Sequence, residues 1–527
     1  MFPGIDEALA QVVSPTMLAL CLVGVIAGMA VGATPGLSAT VGLALLLPIT
    51  FTLDPARGLV LMGAFYSGAI YGGSFTAILV NSPGTPSSIA TTFDGYPMTR
   101  KGRSEVAIIA VTTGSVVGGL VGVVGLLLLG PAIADVVLAF GPQEYFWLGI
   151  FGLTMIAGLA AKSLVKGFAA GFIGLLISTI GIAPVGGDVR FTFGFTQMQA
   201  GVPLIVALIG FFTIPAMIDL MVDPGSRAAA MRREARRREP GLLMRTVRDV
   251  LSRPVNLARS AVIGTFVGML PGAGGNVANL IAYNEAKRAS KTPEEFGTGK
   301  VDGVVAPETA NNAVVGGGLI PLLTLGIPGA PADAVIFGVL MLHGLRPGAD
   351  LFTEQGSLTF TFILALGVSA LLLAPVGLIV GRGLQRAVVR TPTTYLVPAI
   401  ALLTMIGAYA VRNNPLDVVI MVALGLLGYG LRHLGLPPPA VVLGVVLGPI
   451  IESGLGQGLL TASGDAQPWL SFFTRPISVG IIAVVLIALL WPVLGRWRAQ
   501  RAARPAGPPD GPETGRGAEG TEREDAR

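Results

Sequence analysis

Three carboxylates lie inside apolar segments of the chain: Asp94 in TTFDGYP, Glu308 in APETANNAVVGGG and Asp333 in PADAVIFG. An ionisable group is costly inside a bilayer, so each is a functional candidate by default. Asn311 and Asn312 follow Glu308 by one helical turn, which places carboxylate and amide on one face. Such a cluster suits Na⁺ or H⁺, and the predicted ion-coupling residues are Glu308, Asn311, Asn312 and Asp333. The alternative is a helix-start carboxylate at the membrane interface, which is the favoured interpretation for Asp94.

Two polar breaks interrupt apolar runs of membrane-spanning length. The first is VNSPGTPSS (80–88), and the second, LGIPGAPADAV (325–335), repeats its PGxP core. A helix that stops in the membrane leaves free N–H groups at the start of the next helix, and these attract anions. The predicted substrate-binding residues are Asn81, Ser82, Pro83, Gly84, Thr85, Pro86, Ser87, Gly326, Pro328, Gly329, Pro331, Ser38 and Asn276. The alternative is that the breaks are ordinary helix-end turns combined with small-residue helix packing.

The sequence lacks the motifs of common enzymes and of transition-metal sites. The chain has no HExxH, GxSxG or Walker motif, so we expect no catalytic residue and no enzyme activity. The single cysteine, Cys21, excludes an internal disulfide, and neither His343 nor His433 has a partner at metal-ligand spacing. We therefore expect no cofactor, and no metal site other than one for a coupling Na⁺.

Membrane helices must position these residues. Of the 527 residues, 52% are hydrophobic and only 12% are charged, whereas a soluble domain carries about 25% charged residues. Apolar stretches long enough to span a bilayer recur from Thr16 to Trp491. The composition therefore predicts an all-α polytopic membrane protein with about 11–13 crossings, some of them interrupted or re-entrant.

The distribution of lysine and arginine predicts sidedness. Arginines concentrate in the loop 224–259 and in the tail 497–527, and they form no face for nucleic acid. Short arginine-rich loops mark the cytoplasmic side, so the loop and the tail are assigned there. The tail is polar and Pro/Gly-rich, which predicts disorder. The segment TRKGR (99–103) is assigned to the cytoplasm as well, whereas ADLFTEQGS (349–357) has no Lys or Arg and is assigned outside.

The chain also contains internal similarity. Three segment pairs recur in the same order: 28–36 with 264–272, 72–86 with 317–331, and 145–156 with 395–406. Because the segments that follow the two breaks are assigned to opposite sides, the halves are predicted to be inverted repeats of about 250 residues, the signature of a secondary transporter. The predicted divisions are 1–223 (first repeat), 224–259 (cytoplasmic loop), 260–496 (second repeat and final helix) and 497–527 (tail).

Three long segments resemble a known family: GATPGLSATVGLALLLPITF (32–51), YGGSFTAILVNSPGTPSSIATTFDGYPM (71–98) and the stretch from FGTGKVDG to HGLRPG (296–348). They closely resemble the large membrane subunit of tripartite tricarboxylate transporters, the TctA family. The resemblance implies a bacterial uptake system driven by an ion gradient, with carboxylate substrates. It also implies two partners, a small four-helix membrane subunit (TctB-like) and a periplasmic substrate-binding protein (TctC-like).

Together these observations predict a large permease subunit in the bacterial cytoplasmic membrane that imports carboxylate anions of the tricarboxylate type with its binding protein. The alternative within transport is a stand-alone ion-coupled exchanger or channel. A membrane-embedded enzyme is a distant third hypothesis, because the chain lacks catalytic motifs.

Overall fold

The structure is a computed structural model that describes residues 2–34, 37–81, 83–159, 163–222, 241–270, 274–381, 383, 393–464, 467–487 and 489. The predicted site residue Ser82, residues 224–240 of the arginine-rich loop and the tail 497–527 lie outside the described residues. The described chain is almost entirely helical, which confirms the predicted all-α class.

Nine helices precede the arginine-rich loop 224–259 among the described residues, and the first break lies between the fourth and the fifth. Their bounds are α1 (Ile5–Val12), α2 (Pro15–Gly32), α3 (Ala39–Thr50), α4 (Pro55–Val80), α5 (Ile89–Arg100), α6 (Ser104–Val137), α7 (Pro142–Leu159), α8 (Leu164–Ser178) and α9 (Leu204–Val222). Short 3₁₀ turns lie at η1 (Pro86–Ser88) and η2 (Thr196–Ala200). A small antiparallel ribbon pairs β1 (Gly181–Ile182) with β2 (Val189–Arg190).

The helices that follow residue 240 begin with the tenth, and the second break lies between the thirteenth and the fourteenth. Their bounds are α10 (Leu242–Leu251), α11 (Pro254–Met269), α12 (Gly274–Arg288), α13 (Asp302–Leu325), α14 (Pro331–Leu342), α15 (Ala349–Thr353), α16 (Gly356–Ile379), α17 (Thr393–Ala410), α18 (Pro415–His433), α19 (Pro438–Thr461), α20 (Ser471–Thr474) and α21 (Pro476–Ile487). Two further 3₁₀ turns are η3 (Pro293–Glu295) and η4 (Pro468–Leu470).

The two halves use the same order of elements around their breaks. In the first, α4 ends at a left-handed Asn81 with φ 57°, and the next turn begins at Pro86. In the second, α13 ends at a left-handed Gly326 with φ 72°, and α14 begins at Pro331. A left-handed residue stops a helix, and proline is favoured in the first turn of the next. The domain bounds and the opposite orientation of the halves stay predictions.

Close helix packing relies on glycines of the paired segments 28–36 and 264–272, in which two glycines are spaced four residues apart as GxxxG. A Cβ atom at Gly28 or Gly32 of α2 would overlap the backbone of α4 at Phe65 or Ala69. In the second half, a Cβ atom at Gly264 of α11 would overlap the α13 backbone. Small residues let two backbones approach without an intervening side chain, which is how helices associate in lipid.

Helix α13 lies at the centre of the molecule. Every residue from Gly303 to Thr324 is buried, including its polar ones. It contacts helices of both halves, with α4, α5 and α6 on one side of the sequence and α11, α12 and α14 on the other. Helix α13 therefore lies between elements of both halves and carries buried polar residues that include Glu308, Asn311 and Asn312.

Five helices of the described chain have the length and hydropathy of a complete membrane span: α2, α6, α16, α18 and α19. The adjoining segments Pro468–Thr474 and Pro476–Ile487 would form a sixth but are bent by 69°. Helices α4 and α13 are as long, with 26 and 24 residues, yet they carry the glycine-rich and polar stretches beside the breaks. The chain is a multi-pass membrane protein, and the figure of 11–13 crossings stays a prediction.

Candidate functional site

The first break is a compact polar turn after α4. The backbone N–H of Gly84 donates to the carbonyl of Gly73 at 3.2 Å, which folds the break back onto α4. The Thr85 hydroxyl lies 3.1 Å from the hydroxyls of both Ser87 and Ser88. Asn81 and Pro86 are exposed, whereas Gly84, Thr85 and Ser87 are buried. One side of the break is therefore accessible and the other is embedded in the protein.

The second break is more deeply enclosed. Its residues from Gly326 to Ala330 are buried, and the backbone at Gly329 approaches the carbonyl of Gly268 so closely that a Cβ atom would overlap it. Asp333 accepts a hydrogen bond from the Ala330 N–H at 2.7 Å and so caps the start of α14. Asp333 therefore lies at a helix start, as the alternative interpretation expected, but it is fully buried. A coupling role for Asp333 stays a prediction.

Glu308 occupies a different environment from Asp333. Its side chain is 0% exposed, and its Oε1 accepts a hydrogen bond from the hydroxyl of Thr91 on α5 at 2.5 Å. Its Oε2 has no hydrogen-bond partner among the described residues. Thr91 belongs to the first half and Glu308 to the second, so this contact joins the halves in the interior.

The two asparagines after Glu308 behave differently. The Asn312 amide lies 3.5 Å from the main-chain carbonyl of Glu308 and so stays on its own helix. Neither amide atom of Asn311 has a partner among the described residues, although the side chain is fully buried. Burying a polar group without a hydrogen bond is unfavourable, so the Asn311 amide is available for a ligand.

Helix α12 connects this polar group to the first break. The Asn279 amide donates a hydrogen bond to the carbonyl of Ser87, and its Oδ1 is buried without a partner among the described residues. Gly275, one turn earlier, lies between Ser87 and Asn311, because a Cβ atom there would be 2.9 Å from Ser87 Cβ and 2.5 Å from Asn311 Oδ1. We call Ser87, Thr91, Asn279, Glu308 and Asn311 the Glu308 cluster.

Two predicted residues do not join this cluster. Ser38 caps α3, where its hydroxyl accepts from the Val41 N–H at 3.2 Å. Asn276 is exposed on α12, and Asn279, one turn further along, makes the contact with the first break. The repeat similarity indicated this helix, but it could not show which asparagine faces inward.

Asp94 lies inside α5, fully buried, and not at a helix start near the interface. Its carboxylate accepts hydrogen bonds from the backbone N–H groups of Gly297, Gly299 and Lys300, at distances from 2.7 to 3.0 Å. It also accepts from the Tyr283 hydroxyl at 2.9 Å. The residue therefore anchors the polar loop between α12 and α13. Sequence reasoning missed this role, although the glycine-rich FGTGK could have indicated a backbone nest for an anion.

The same loop carries an ion pair at its surface. The Lys300 ammonium lies 3.0 Å from the Glu295 carboxylate, and this hydrogen bond lowers the pKa of Glu295. Lys300 also donates to the Ser290 hydroxyl at 2.9 Å and to the hydroxyl of Thr292. These contacts stabilise the same α12–α13 loop whose backbone N–H groups donate to the Asp94 carboxylate.

Comparison with known proteins agrees with the family resemblance. The profile of the Tripartite tricarboxylate transporter TctA family matches residues 18–443. An uncharacterized 52.8 kDa protein in the TAR-I ttuC' 3' region of Agrobacterium vitis is 37% identical over 488 residues, which is 93% of this chain and 95% of the relative. An uncharacterized protein in the TAR-II ttuC' 3' region of the same organism is 38% identical over 238 residues, 45% of this chain and 97% of that relative.

No solved structure matches the chain. The family profile covers both breaks and the whole Glu308 cluster, so the predicted family is confirmed for the part of the chain that carries the candidate site. A family of transporters also makes the membrane-embedded enzyme the weakest of the three hypotheses. The chain belongs to the tripartite tricarboxylate transporter TctA family.

Proposed function

We propose that this chain is the large permease subunit of a binding-protein-dependent secondary transporter that takes up carboxylate anions with an ion gradient. The observation that carries the proposal is the pair of matching helix breaks that both pack against α13, the helix that carries the buried Glu308 and Asn311. In transporters built from repeats, interrupted helices of the two halves meet at the substrate site. Family membership supports tricarboxylates as the substrate class.

The substrate cradle is the first break, with the second break as its counterpart. Residues 81–87 combine an exposed Asn81 with buried hydroxyls at Thr85 and Ser87. At the following turn Pro86 has no N–H and the Ser88 N–H donates to the Thr85 carbonyl, so the proposed donors to a carboxylate are the Asn81 amide and the hydroxyls of Thr85 and Ser87. The second break contributes Gly326, Pro328, Gly329 and Pro331, whose small or rigid backbones allow close approach.

The coupling ion acts at Glu308 with Asn311 and Asn312, and Asp333 is the second candidate. A buried carboxylate can take up either Na⁺ or H⁺, and both remain within this proposal. Glu308 is the stronger candidate of the two, because Asp333 already uses one oxygen to cap α14.

The proposed partners are a small four-helix membrane subunit (TctB-like) and a periplasmic substrate-binding protein (TctC-like). The proposed location is the bacterial cytoplasmic membrane, with the arginine-rich loop and the C-terminus in the cytoplasm. The family's tripartite name supports the partners, and the positive-inside rule supports the orientation.

Reconstitution tests this proposal. The full chain is placed in proteoliposomes with and without the small subunit and the binding protein encoded beside it, and uptake of radiolabelled citrate and other carboxylates is measured under Na⁺ and H⁺ gradients. We expect uptake only with the binding protein and a gradient. Equal flux from the chain alone would instead support a stand-alone exchanger or channel, and passive flux without a gradient would contradict secondary transport.

A further inference from the structure

Four buried polar atoms near the first break lack hydrogen-bond partners among the described residues: Glu308 Oε2, Asn311 Oδ1, Asn311 Nδ2 and Asn279 Oδ1. The side chains that carry them are all 0% exposed. Buried polar groups are normally paired, so several orphan oxygens from separate helices in one region indicate a ligand. Three of the four atoms are oxygens, and one of these is a carboxylate oxygen.

The side chains that carry these oxygens lie on two helices that pack against each other, α12 and α13. Thr91 holds Oε1 of Glu308 and leaves Oε2 for another partner. Gly275 of α12 lies directly against Asn311 Oδ1. Asn279 follows Gly275 by four residues and therefore lies on the same face of α12. The α12 face and the α13 face thus present amide and carboxylate oxygens to each other.

We propose that the Glu308 cluster binds a dehydrated Na⁺ through Glu308, Asn279 and Asn311. Carboxylate and amide carbonyl oxygens are ligands for hard cations, and one ion satisfies several orphan oxygens at once. Among the described residues no group of three His, Cys, Asp or Glu side chains could hold a metal ion, which argues against a transition-metal centre here.

The charge of the cluster favours a monovalent ion. Glu308 is its single carboxylate, so a monovalent cation leaves the buried site neutral, whereas a divalent one leaves an uncompensated charge. Neither Asp94 nor Asp333 compensates it. Asp94 is engaged by the backbone of residues 297–300. Asp333 lies beside Gly318, ten residues from Glu308 on α13, which is about 15 Å along the helix axis.

Asn279 connects the proposed ion site to the first break, which is the proposed substrate site. Its amide nitrogen donates to the Ser87 carbonyl in the first break, and its oxygen is one of the proposed ligands. A bound Na⁺ would therefore orient the Asn279 amide and hold the break in one conformation. This deepens the proposed function, on which the role of the ion in uptake rests. The binding of Na⁺ itself does not depend on it.

Thermal unfolding of the purified full-length protein tests the site without transport. Melting is measured in NaCl and in choline chloride at equal ionic strength. We expect Na⁺ to raise the Tm in a saturable manner, because a ligand of the folded state stabilises it. In Glu308→Gln, Asn279→Ala and Asn311→Ala the half-saturating Na⁺ concentration should rise by about tenfold or more.

Thr309→Val is the matched control. Thr309 is buried beside Glu308 on α13, but its hydroxyl faces Gly114 of α6 and not α12. Its Na⁺ response should equal that of the wild type. Identical melting in Na⁺ and choline for the wild type would overturn the proposal, and so would an unchanged Na⁺ response in Asn279→Ala and Asn311→Ala, even if Glu308→Gln fails to fold. A Na⁺ response without carboxylate uptake would support the site and contradict the proposed function instead.

Discussion

At the scale of single residues, three of the buried carboxylates, Asp94, Glu308 and Asp333, differ in what surrounds them. Asp94 has both oxygens occupied by backbone N–H groups, and Asp333 has one oxygen capping a helix. Among the described residues Glu308 accepts a hydrogen bond from a threonine hydroxyl at one oxygen, and its second oxygen has no hydrogen-bond partner. A buried polar atom without a partner costs about 1–3 kcal/mol, so the arrangement around Glu308 lowers stability in the absence of a ligand. Residues that serve binding at the expense of stability are typical of functional sites.

Glu308→Gln is expected to abolish most carboxylate uptake and to remove its dependence on the ion gradient, because the amide carries no charge for the ion to neutralise. The measurement is citrate uptake in proteoliposomes under imposed Na⁺ and H⁺ gradients. Thr309→Val, whose hydroxyl faces Gly114 of α6, should retain uptake. Wild-type ion dependence in Glu308→Gln would exclude the coupling role.

Two substitutions at Asn81 distinguish the contribution of its side chain to substrate binding from the contribution of its backbone conformation. Asn81 is left-handed with φ 57°, so Ala there carries a backbone cost of roughly 1 kcal/mol that Gly does not. If the amide binds substrate, both Asn81→Ala and Asn81→Gly should raise the KM for uptake. An Asn81→Gly variant with wild-type uptake would show that only the helix ending matters and would remove Asn81 from the cradle.

At the scale of elements, the PGxP motifs could be located from sequence because proline and glycine interrupt helices for local steric reasons. The structure ends α4 at Val80 and α13 at Leu325, directly before the two predicted breaks. The contact of Asn279 could not be predicted in the same way. Which of two asparagines on α12 faces inward depends on the rotation of that helix against α13, and this is decided by packing at Gly275, which is far from either break in sequence.

The anchoring of the α12–α13 loop escaped prediction for a related reason. Asp94 and Gly297 are more than a hundred residues apart, and no periodic pattern links them. Only the local part, a glycine-rich turn able to present several N–H groups, can be read from the sequence.

Asp94→Asn should loosen this loop. The substitution replaces charge-assisted hydrogen bonds, worth about 1.5–3 kcal/mol each, with weaker neutral ones. We expect trypsin to cleave at Lys291 or Lys300 roughly tenfold faster than in the wild type, because local opening becomes easier. Cleavage is followed by mass spectrometry. Glu294→Gln, an exposed substitution in the same loop, is the control. Equal protection in both variants would show that Asp94 does not hold the loop.

Helix packing yields a matched pair of glycine substitutions. Gly28→Ala places a methyl group against the α4 backbone and should lower the free energy of unfolding by about 1–3 kcal/mol. Gly430→Ala on α18 meets nothing within 4 Å and should change stability little. Thermal melting of both purified variants compares them. Equal Tm values would mean that the α2–α4 contact is not close.

At the scale of the whole molecule, two halves with the same element order enclose one polar helix. The repeat similarity and the family could be predicted from sequence because they reside in contiguous motifs. The number of membrane crossings could not, because α4 and α13 are long enough to span but carry polar and glycine-rich stretches. Their placement depends on partners in the fold more than on their own hydropathy.

Cysteine accessibility tests the inverted orientation. In a Cys21→Ala background, Lys101→Cys and Glu354→Cys each introduce one thiol at an exposed position after a break. The positive-inside rule predicts that only the thiol at 354 reacts with a membrane-impermeant maleimide in intact cells, and that the thiol at 101 reacts after permeabilisation. Labelling of both from the same side would mean that the halves are parallel.

The glycine contacts of α13 have a mechanical consequence. Gly118 and Gly122 of α6 lie against the carbonyls of Thr309 and Ala313, and Gly264 of α11 lies against that of Ala310. Because these backbones are in direct contact, a shift of one helix by one residue along its axis would make a Cβ atom clash with a carbonyl oxygen. We therefore expect α6, α11 and α13 to travel as one rigid body. A conformational change that opens the Glu308 cluster must then involve helices that contact this rigid body through side chains. We expect α12 to be the first of these helices to move.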